Sequence, residues 1–455
     1  MSVRTLFFAV ALTASLVAPR ATLAQDDLRC GELLPTIACA ADPSQSYALY
    51  LPERYDPVHA WPIIYGFDPS ARGAFVAERF VEAAERRGYI VAVSNNSRNG
   101  PREPNIDAAN AMFRDTQTRL NIDRRRIVLT GCSGGGSLIL ALAEQLKVFG
   151  LIVCGAPWPS EQPPRVRDAV VYATAGIYDF NYPSMRRMAR GFAQSGQPHR
   201  LSIVDTDHTW LPAEEAVEAL IWMDLQGMRQ GLLPSDESLL TTTYERRRET
   251  ALRLPIPERA IELRSLAADF DGSARGTRAA EELAALGGAR EIKAWEKRER
   301  ADEARQEAEM ATLLDNAIGG DIDEVQAHIA SLRKSASRAK SDRDRIVARR
   351  ILGSVSVGAM QAARAAQAEG KTQLALRLFE MRTWVAEDDG RVHFDLARAQ
   401  AKAGSRGPTL DALARAAALG FDVATRTAND RSFDFVRDDP AFQRLTAPPG
   451  ASVGP

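Results

Sequence analysis

The residues of this chain whose types could carry out nucleophilic catalysis together are Ser133, Asp179 and His208. A serine hydroxyl is a poor nucleophile at neutral pH unless a neutral imidazole within hydrogen-bond reach accepts its proton. A carboxylate on the other ring nitrogen fixes the imidazole tautomer and stabilises the imidazolium that forms. These three residue types suffice for acyl transfer if the fold brings them together.

Ser133 lies at the centre of Gly131-Cys132-Ser133-Gly134-Gly135, which fits the G-x-S-x-G pattern of a sharp strand-to-helix turn. A β-branched apolar run precedes the pattern, and an Ala/Leu run with helical spacing follows it. Three fixed residues are a weak signal by themselves, and a tight turn without chemistry is the alternative interpretation. The flanking strand and helix favour the catalytic one.

The elements that must position these residues follow from the hydrophobic pattern of the first half. Strands are predicted at residues 47–52, 61–65, 89–94, 151–154, 169–174, 200–204 and just before Gly131, and helices at about 74–87, 106–120, 213–229 and after Gly135. Strands that alternate with helices imply βαβ crossovers. The sequence therefore predicts an α/β fold with a doubly wound, mostly parallel sheet.

The polarity of such a sheet selects among the candidate partners of Ser133, because ligands bind outside the carboxyl ends of the strands. Asp179 and His208 each follow a predicted strand, whereas Asp168 and His199 precede one. We therefore expect Asp179 and His208 at the same edge as Ser133. Asp205 or Asp207 is the alternative carboxylate, although each is so close to His208 in the chain that the geometry would be awkward.

The oxyanion of an acyl-transfer intermediate needs two preorganised backbone donors. One is predicted to be the N–H of Gly134, which follows the nucleophile, and the other to come from Phe67 or Gly66 in the loop after the second strand.

Three aromatic residues on strand-exit loops could form a substrate pocket or simply fill loop cores: Trp158, Tyr178 and Trp210. Asn95, Asn96 and Arg98 also follow a strand; they are interpreted as ordinary turn residues, with contact to the substrate as the less favoured alternative.

Residues 45–230 resemble the α/β-hydrolase superfamily, in particular small exported esterases such as polyhydroxyalkanoate depolymerase-like and feruloyl esterase-like proteins. The resemblance is carried by residues 131–135, by Gly176 with Asp179, and by His208-Thr209-Trp210. It implies ester hydrolysis through an acyl-enzyme, with Ser133 as nucleophile, His208 as base and Asp179 as its partner. Such enzymes commonly have His-Gly at the oxyanion loop, where this chain has Tyr65-Gly66-Phe67.

Composition and the N-terminus bear on the cellular setting. The 58 basic and 59 acidic residues give a net charge of -1, which provides no general field for nucleic acid or an acidic membrane surface. Arg4, an apolar run at residues 6–17 and Thr22-Leu23-Ala24 predict a signal peptide over residues 1–24 and a periplasmic or secreted protein. In an oxidising compartment a disulfide between Cys30 and Cys39 is expected. The cysteines show no metal-ligand spacing. Ester hydrolysis by the predicted serine mechanism is expected to need neither a metal nor an organic cofactor.

The second half has a different composition, rich in Ala, Arg and Glu and without strand-like runs. We divide the chain into an α/β-hydrolase domain (25–235), a charged helical region (236–354), a repeat region (355–447) and a disordered tail (448–455). The charges of residues 290–305 alternate in sign, which is typical of a solvated helix face. A shift of 34 residues aligns Gly370 with Gly404 and Leu376 with Leu410, so residues 355–447 resemble tetratricopeptide repeats.

Two functions from different classes remain open at this stage. One is an exported serine hydrolase that acts on small-molecule or polymeric esters. The other is a catalytically silent α/β-hydrolase-like module in a protein-binding scaffold. The helical half is either a buttress for the hydrolase domain or a surface for a protein or peptide partner. No nucleic-acid partner and no transmembrane segment are expected.

Overall fold

The computed structural model describes residues 28–158, residue 166 and residues 169–447. The predicted signal peptide at residues 1–24 and the predicted tail at residues 448–455 lie outside the described residues. Among the described residues, no helix combines the length and the hydropathy that a membrane span requires.

The N-terminal half is built around one eight-stranded sheet with the order β1-β2-β4-β3-β5-β6-β7-β8. Strands β3 to β8 are parallel, and the pairs β1·β2 and β2·β4 are antiparallel. The strands are β1 Leu33–Cys39, β2 Asp42–Tyr50, β3 Trp61–Phe67, β4 Ile90–Ser94, β5 Ile122–Cys132, β6 Gly150–Cys154, β7 Val170–Gly176 and β8 His199–Val204. The predicted mostly parallel sheet is confirmed.

Five helices cover the two faces of this sheet, as the buried apolar character of its central strands requires. They are α1 Gly73–Arg87, α2 Arg102–Arg119, α3 Gly134–Ala143, α4 Tyr182–Ser195 and α5 Ala213–Arg229. Phe80 and Met223 of α1 and α5 belong to the core on one face, and Met112 and Phe192 of α2 and α4 belong to the core on the other. The sheet is therefore doubly wound.

The helical half follows directly. Its helices are α6 Glu237–Arg253, α7 Ile256–Asp269, α8 Ala274–Ala285, α9 Ala289–Gly319, α10 Ile322–Arg338, α11 Asp342–Ala368, α12 Thr372–Val385, α13 Gly390–Lys402, α14 Arg406–Ala418, α15 Val423–Thr427 and α16 Pro440–Thr446, with a 3₁₀ helix at Arg431–Val436. No strand occurs in the described residues after 204, so the all-α prediction for this half is confirmed.

The predicted disulfide between Cys30 and Cys39 is wrong, because both thiols are free in the structure. The segment expected to be irregular forms β1, an edge strand that tolerates Pro35. Cys30 lies before this seven-residue strand and Cys39 at its far end. A strand of that length spans about 20 Å, whereas a disulfide needs Cα atoms within about 7 Å.

The interpretation of residues 290–305 as a solvated face is also wrong in part. These residues lie in α9, where the side chains of Glu299 and Glu303 are only 11% and 9% exposed. Glu303 bonds Arg190 of α4 at 2.8 Å, and the Tyr182 hydroxyl donates to Glu299 at 3.0 Å. Glutamates spaced four residues apart share one helix face, and α9 presents this acidic row to α4 of the hydrolase domain.

The boundary predicted at 354/355 falls inside the continuous helix α11. One core cluster joins Leu313 and Val347 on its N-terminal side to Leu378 on its C-terminal side, so the chain is not divided there. The 34-residue shift does relate two helix pairs, α11–α12 and α13–α14. Each pair turns at a left-handed glycine, Gly370 with φ 73° and Gly404 with φ 71°. Membership in the tetratricopeptide class stays a prediction.

Candidate active site

Ser133 occupies the sharp turn between β5 and α3. Its φ of 53° and ψ of -121° place it in a conformation that non-glycine residues avoid, and among the described non-glycine residues only Ala71 also has a positive φ. Strain of this kind costs of order 1–3 kcal/mol and persists only where the surroundings enforce it. A Cβ at Gly131 would collide with Gly135, and one at Gly135 would collide with the carbonyl oxygen of Phe67. The glycines of the motif therefore permit the close backbone contacts of this turn, which larger residues would prevent.

Asp179 and His208 are brought together at the carboxyl ends of β7 and β8. His208 Nδ1 lies 2.9 Å from Asp179 Oδ1, and the carboxylate is 1% exposed. The backbone N–H of Asn181 donates to the same oxygen at 2.7 Å. A buried carboxylate that accepts two hydrogen bonds is held in one orientation, and it sets which ring nitrogen of His208 carries the proton.

Gly155 links this pair to the serine. The N–H of Ser133 donates to the carbonyl oxygen of Cys154 at 2.9 Å, which fixes the serine turn to the exit of β6. The next residue, Gly155, has a φ of 54°, and a Cβ there would lie 2.6 Å from Asp179 Oδ2 and 3.0 Å from His208 Nδ1. Cys154 is therefore bonded to the serine turn, and the residue that follows it lies beside Asp179 and His208.

The sequence interpretation missed Gly155 and Asn181. Gly155 follows the apolar run of β6 directly, so the strand-exit rule that selected Asp179 could have selected it too. Asn181 acts through its backbone N–H on Asp179, and its side chain donates to the Gly155 carbonyl at 2.7 Å. Nothing in the residue type of Asn181 distinguishes that role from a helix-capping one.

The candidate oxyanion donors lie at the end of β3. Gly66 is within the strand, where a Cβ would lie 2.8 Å from a Val93 methyl carbon, whereas Phe67 is the last strand residue and faces Gly135. The next N–H, of Asp68, already donates to Ser97 Oγ at 3.1 Å. Of the two residues predicted for the second donor, Phe67 is the one beside the serine turn. Gly134 opens helix α3 and supplies the other candidate N–H.

Asp68, the residue after β3, is a buried carboxylate that stabilises this loop. It pairs with Arg72 at 2.8 Å and accepts a hydrogen bond from Trp210 Nε1 at 2.8 Å. Burial by itself raises the pKa of Asp68, but the hydrogen bonds from Arg72, Trp210 and the Ser70 N–H outweigh it and lower the pKa below its usual value. Asp68 therefore stays ionised and holds the start of the loop to the exit of β8.

A cleft of about 290 Å³ opens beside the serine turn. Its walls come from the loops after β3 and β4 and from the start of α3: Asp68, Pro69, Ser97, Arg98, Asn99, Gly100, Arg102, Asn105, Gly134, Gly135, Ser137, Leu138 and Ala141. Asn99 abuts Gly134, where an added Cβ would collide with the Asn99 side chain. Arg98, interpreted from sequence as a turn residue, is part of this wall.

None of the three aromatic residues predicted to form a substrate pocket lines this cleft. Trp210 is buried in the core, at 2% exposed, and it contacts the cleft wall indirectly, by donating a hydrogen bond to Asp68. Tyr178 lies under the guanidinium of Arg349, 3.7 Å from the centre of its ring. Trp158 is partly buried against the core on one face of the sheet. Their sequence positions at strand exits are correct, but side-chain direction turns them away from the cleft.

No group of three or more His, Cys, Asp or Glu side chains suited to a metal ion occurs in the described ranges.

No protein-family model and no curated protein sequence matches this chain. Among solved structures it is similar to a thermostable esterase at 17% identity and a TM-score of 0.34, over 42% of this chain and 62% of that one. It is also similar to esterase B from Lactobacillus rhamnosis (15% identity, TM-score 0.36, 45% of this chain and 89% of that one) and to a ferulic acid esterase (14%, 0.34, 42% and 96%).

The class of fold is defined by this chain's own topology. A sheet with β2 antiparallel, β3 to β8 parallel and a strained serine between β5 and α3 is the α/β-hydrolase fold. The N-terminal half of this protein has that fold, and an all-α half follows it.

Proposed function

We propose that this protein is an exported serine hydrolase that cleaves carboxylic esters through an acyl-enzyme on Ser133. The observation that carries the proposal is the 2.9 Å contact between His208 Nδ1 and the buried Asp179, at the edge of the sheet where Ser133 adopts its strained turn. Export rests on the sequence pattern of residues 1–24.

In the first half of the reaction, Ser133 Oγ attacks the ester carbonyl carbon while His208 Nε2 accepts the hydroxyl proton. The carbonyl oxygen becomes an oxyanion, and the N–H groups of Gly134 and Phe67 stabilise it. The intermediate collapses as the bond between the carbonyl carbon and the alcohol oxygen breaks. The departing alkoxide takes the proton from His208 and leaves as an alcohol.

In the second half, His208 Nε2 accepts a proton from a water molecule that attacks the acyl-enzyme carbonyl carbon. The tetrahedral intermediate collapses and the bond to Ser133 Oγ breaks. His208 returns the proton to Ser133, and the carboxylic acid is released. Asp179 stabilises the imidazolium at Nδ1. The cleft beside Gly134 is the place for the substrate group nearest the oxyanion donors.

Labelling with a fluorophosphonate probe tests this function. The probe phosphonylates a serine only where a base activates it, so we expect one adduct, located on Ser133 by peptide mass spectrometry. The control is the Ser195→Ala variant, which removes an exposed serine at the end of α4 and should label like the wild type. A folded protein without an adduct on Ser133 would instead support the catalytically silent module.

Gly155→Ala is expected to lower kcat for a short p-nitrophenyl ester by about 100-fold or more, because displacing catalytic groups by 1 Å costs that much. The added Cβ would lie 2.6 Å from Asp179 Oδ2 and would push the carboxylate from His208. The matched control is Gly196→Ala, which has a similar φ of 70° but no atom within 4 Å of its Cβ position. If the two variants had equal activity, the loss would come from backbone strain at a glycine with positive φ and not from displacement of Asp179 from His208.

The helical half is proposed to act as a buttress, with a protein or peptide partner as the alternative. Its helix α9 already binds α4 through Arg190–Glu303, and Arg187 pairs with Glu307 of the same helix. Because this face of α9 is already packed on the hydrolase domain, it supports a buttress role for α9 over partner binding.

A further inference from the structure

The loop at residues 177–181, between β7 and α4, carries Asp179. Two of its backbone N–H groups are satisfied within the hydrolase domain: Ile177 donates to the Val204 carbonyl at 2.8 Å, and Tyr178 donates to the Thr206 carbonyl at 3.1 Å. These bonds tie the loop of the acid to the exit of β8, which leads to His208. A buried loop must also place its carbonyl groups.

Two of those carbonyl groups are bound by side chains from the helical half. Arg350 Nε of α11 donates to the Ile177 carbonyl at 2.6 Å, and Gln306 Nε2 of α9 donates to the Phe180 carbonyl at 2.7 Å. The two acceptors lie on either side of Asp179, two residues before it and one residue after it. The hydrogen bonding of this loop is thus completed by residues more than 100 positions away.

Both donors are held rigidly. Arg350 is 5% exposed, and its guanidinium lies 3.4 Å from the centre of the Tyr182 ring. Burial lowers the pKa of Arg350, and the charge of Glu299 opposes that shift. Gln306 is 4% exposed and also donates to Ser354 Oγ at 2.7 Å. Side chains locked by packing and by a second bond can fix the atoms that they bind.

A packing contact leads from α11 to the imidazole as well. Gly353 approaches Phe180 so closely that an added Cβ would lie 3.2 Å from the Phe180 Cβ. The Phe180 ring in turn lies against the His208 ring, with 4.3 Å between the ring centres. The helical half therefore contacts the backbone beside Asp179 and the ring that covers His208.

We propose that Arg350 and Gln306 are positioning residues of the hydrolase, which hold Asp179 and Phe180 so that His208 stays aligned toward Ser133. The proposal rests on the proposed function. Neither side chain touches the substrate cleft, whose walls come from residues 68–141. Their loss should therefore affect the catalytic step and leave substrate binding unchanged.

Arg350→Ala is expected to lower kcat for a short p-nitrophenyl ester by about 10–100-fold, the range that a misplacement of up to 1 Å produces, with KM within about twofold of wild type. The matched control is Arg382→Ala, since Arg382 is also buried, at 7% exposed, and pairs with Asp395 at 2.7 Å away from the hydrolase loops. A merely structural role would lower the melting temperature of both variants and leave both kcat values near wild type. That result would overturn the proposal.

Gln306→Met is the second variant, because methionine keeps the length of the side chain, removes the donor and buries no charge. We expect a fall in kcat without a rise in KM. Its control is Ser354→Ala, which removes the other bond of Gln306 but leaves the Phe180 carbonyl bound. If Gln306→Met and Ser354→Ala have the same kcat as the wild type, Gln306 does not position the loop.

A readout without turnover separates this proposal from the proposed function. The ring ¹⁵N shifts of His208, identified by their loss in His208→Gln, report which nitrogen carries the proton. We expect the wild type to be protonated at Nδ1 and Arg350→Ala to show a mixture of tautomers. If the wild type is inactive but the tautomer still differs between the wild type and Arg350→Ala, the esterase proposal is wrong and the positioning proposal stands. Unchanged shifts in Arg350→Ala would sink the positioning proposal even in an active enzyme.

Discussion

Ser133→Ala is expected to reduce kcat for short p-nitrophenyl esters by at least about 10⁴-fold, since removal of a catalytic serine leaves only binding and the oxyanion donors. The variant removes one oxygen atom and leaves every backbone donor in place. The Ser137 N–H donates to the Ser133 carbonyl oxygen, and the Ser133 N–H donates to the Cys154 carbonyl oxygen. Neither bond involves the lost hydroxyl. The melting temperature should therefore stay near that of the wild type.

Steady-state kinetics and a thermal melt on the same sample measure both quantities. Fluorophosphonate labelling should disappear in Ser133→Ala and persist in Ser195→Ala. Turnover at the wild-type rate in a folded Ser133→Ala protein would place the nucleophile elsewhere and would remove the basis of the proposed reaction.

Asp179→Asn is expected to lower kcat by about 10⁴-fold, because an amide that donates to Nδ1 stabilises the wrong imidazole tautomer. In that tautomer Nε2 carries the proton and cannot accept one from Ser133. Asparagine has nearly the shape of aspartate, so the fold should persist, although an amide nitrogen in place of Oδ1 leaves the Asn181 N–H, which now bonds that oxygen at 2.7 Å, without its acceptor. We therefore expect a folded variant with an intact KM.

Asp205→Asn is the matched control, since it makes the same Asp-to-Asn change at the alternative carboxylate, three positions before His208 in the chain. Asp205 is exposed, and the structure gives the contact with Nδ1 to Asp179 instead. A wild-type kcat is expected for this variant. A larger loss in Asp205→Asn than in Asp179→Asn would mean that the alternative carboxylate orients His208 in solution.

The alternation of strands and helices, the sharp turn at Ser133 and the selection of Asp179 and His208 could be predicted from the sequence. These features are local, because hydrophobic periodicity marks each element and strand polarity decides at which end a loop emerges. The 2.9 Å contact between His208 and Asp179 agrees with that choice. Their catalytic roles remain the proposal that the variants above test.

Which loop residues face the cleft, and what the helical half contacts, depend on how the whole chain packs. Trp210 and Arg98 both follow strands, but packing buries the tryptophan and leaves the arginine in the cleft wall. The bonds from Gln306 to Phe180 and from Arg350 to Ile177 join residues 126 and 173 positions apart. Contacts at such separations depend on how whole elements pack, which no local pattern of residue types encodes.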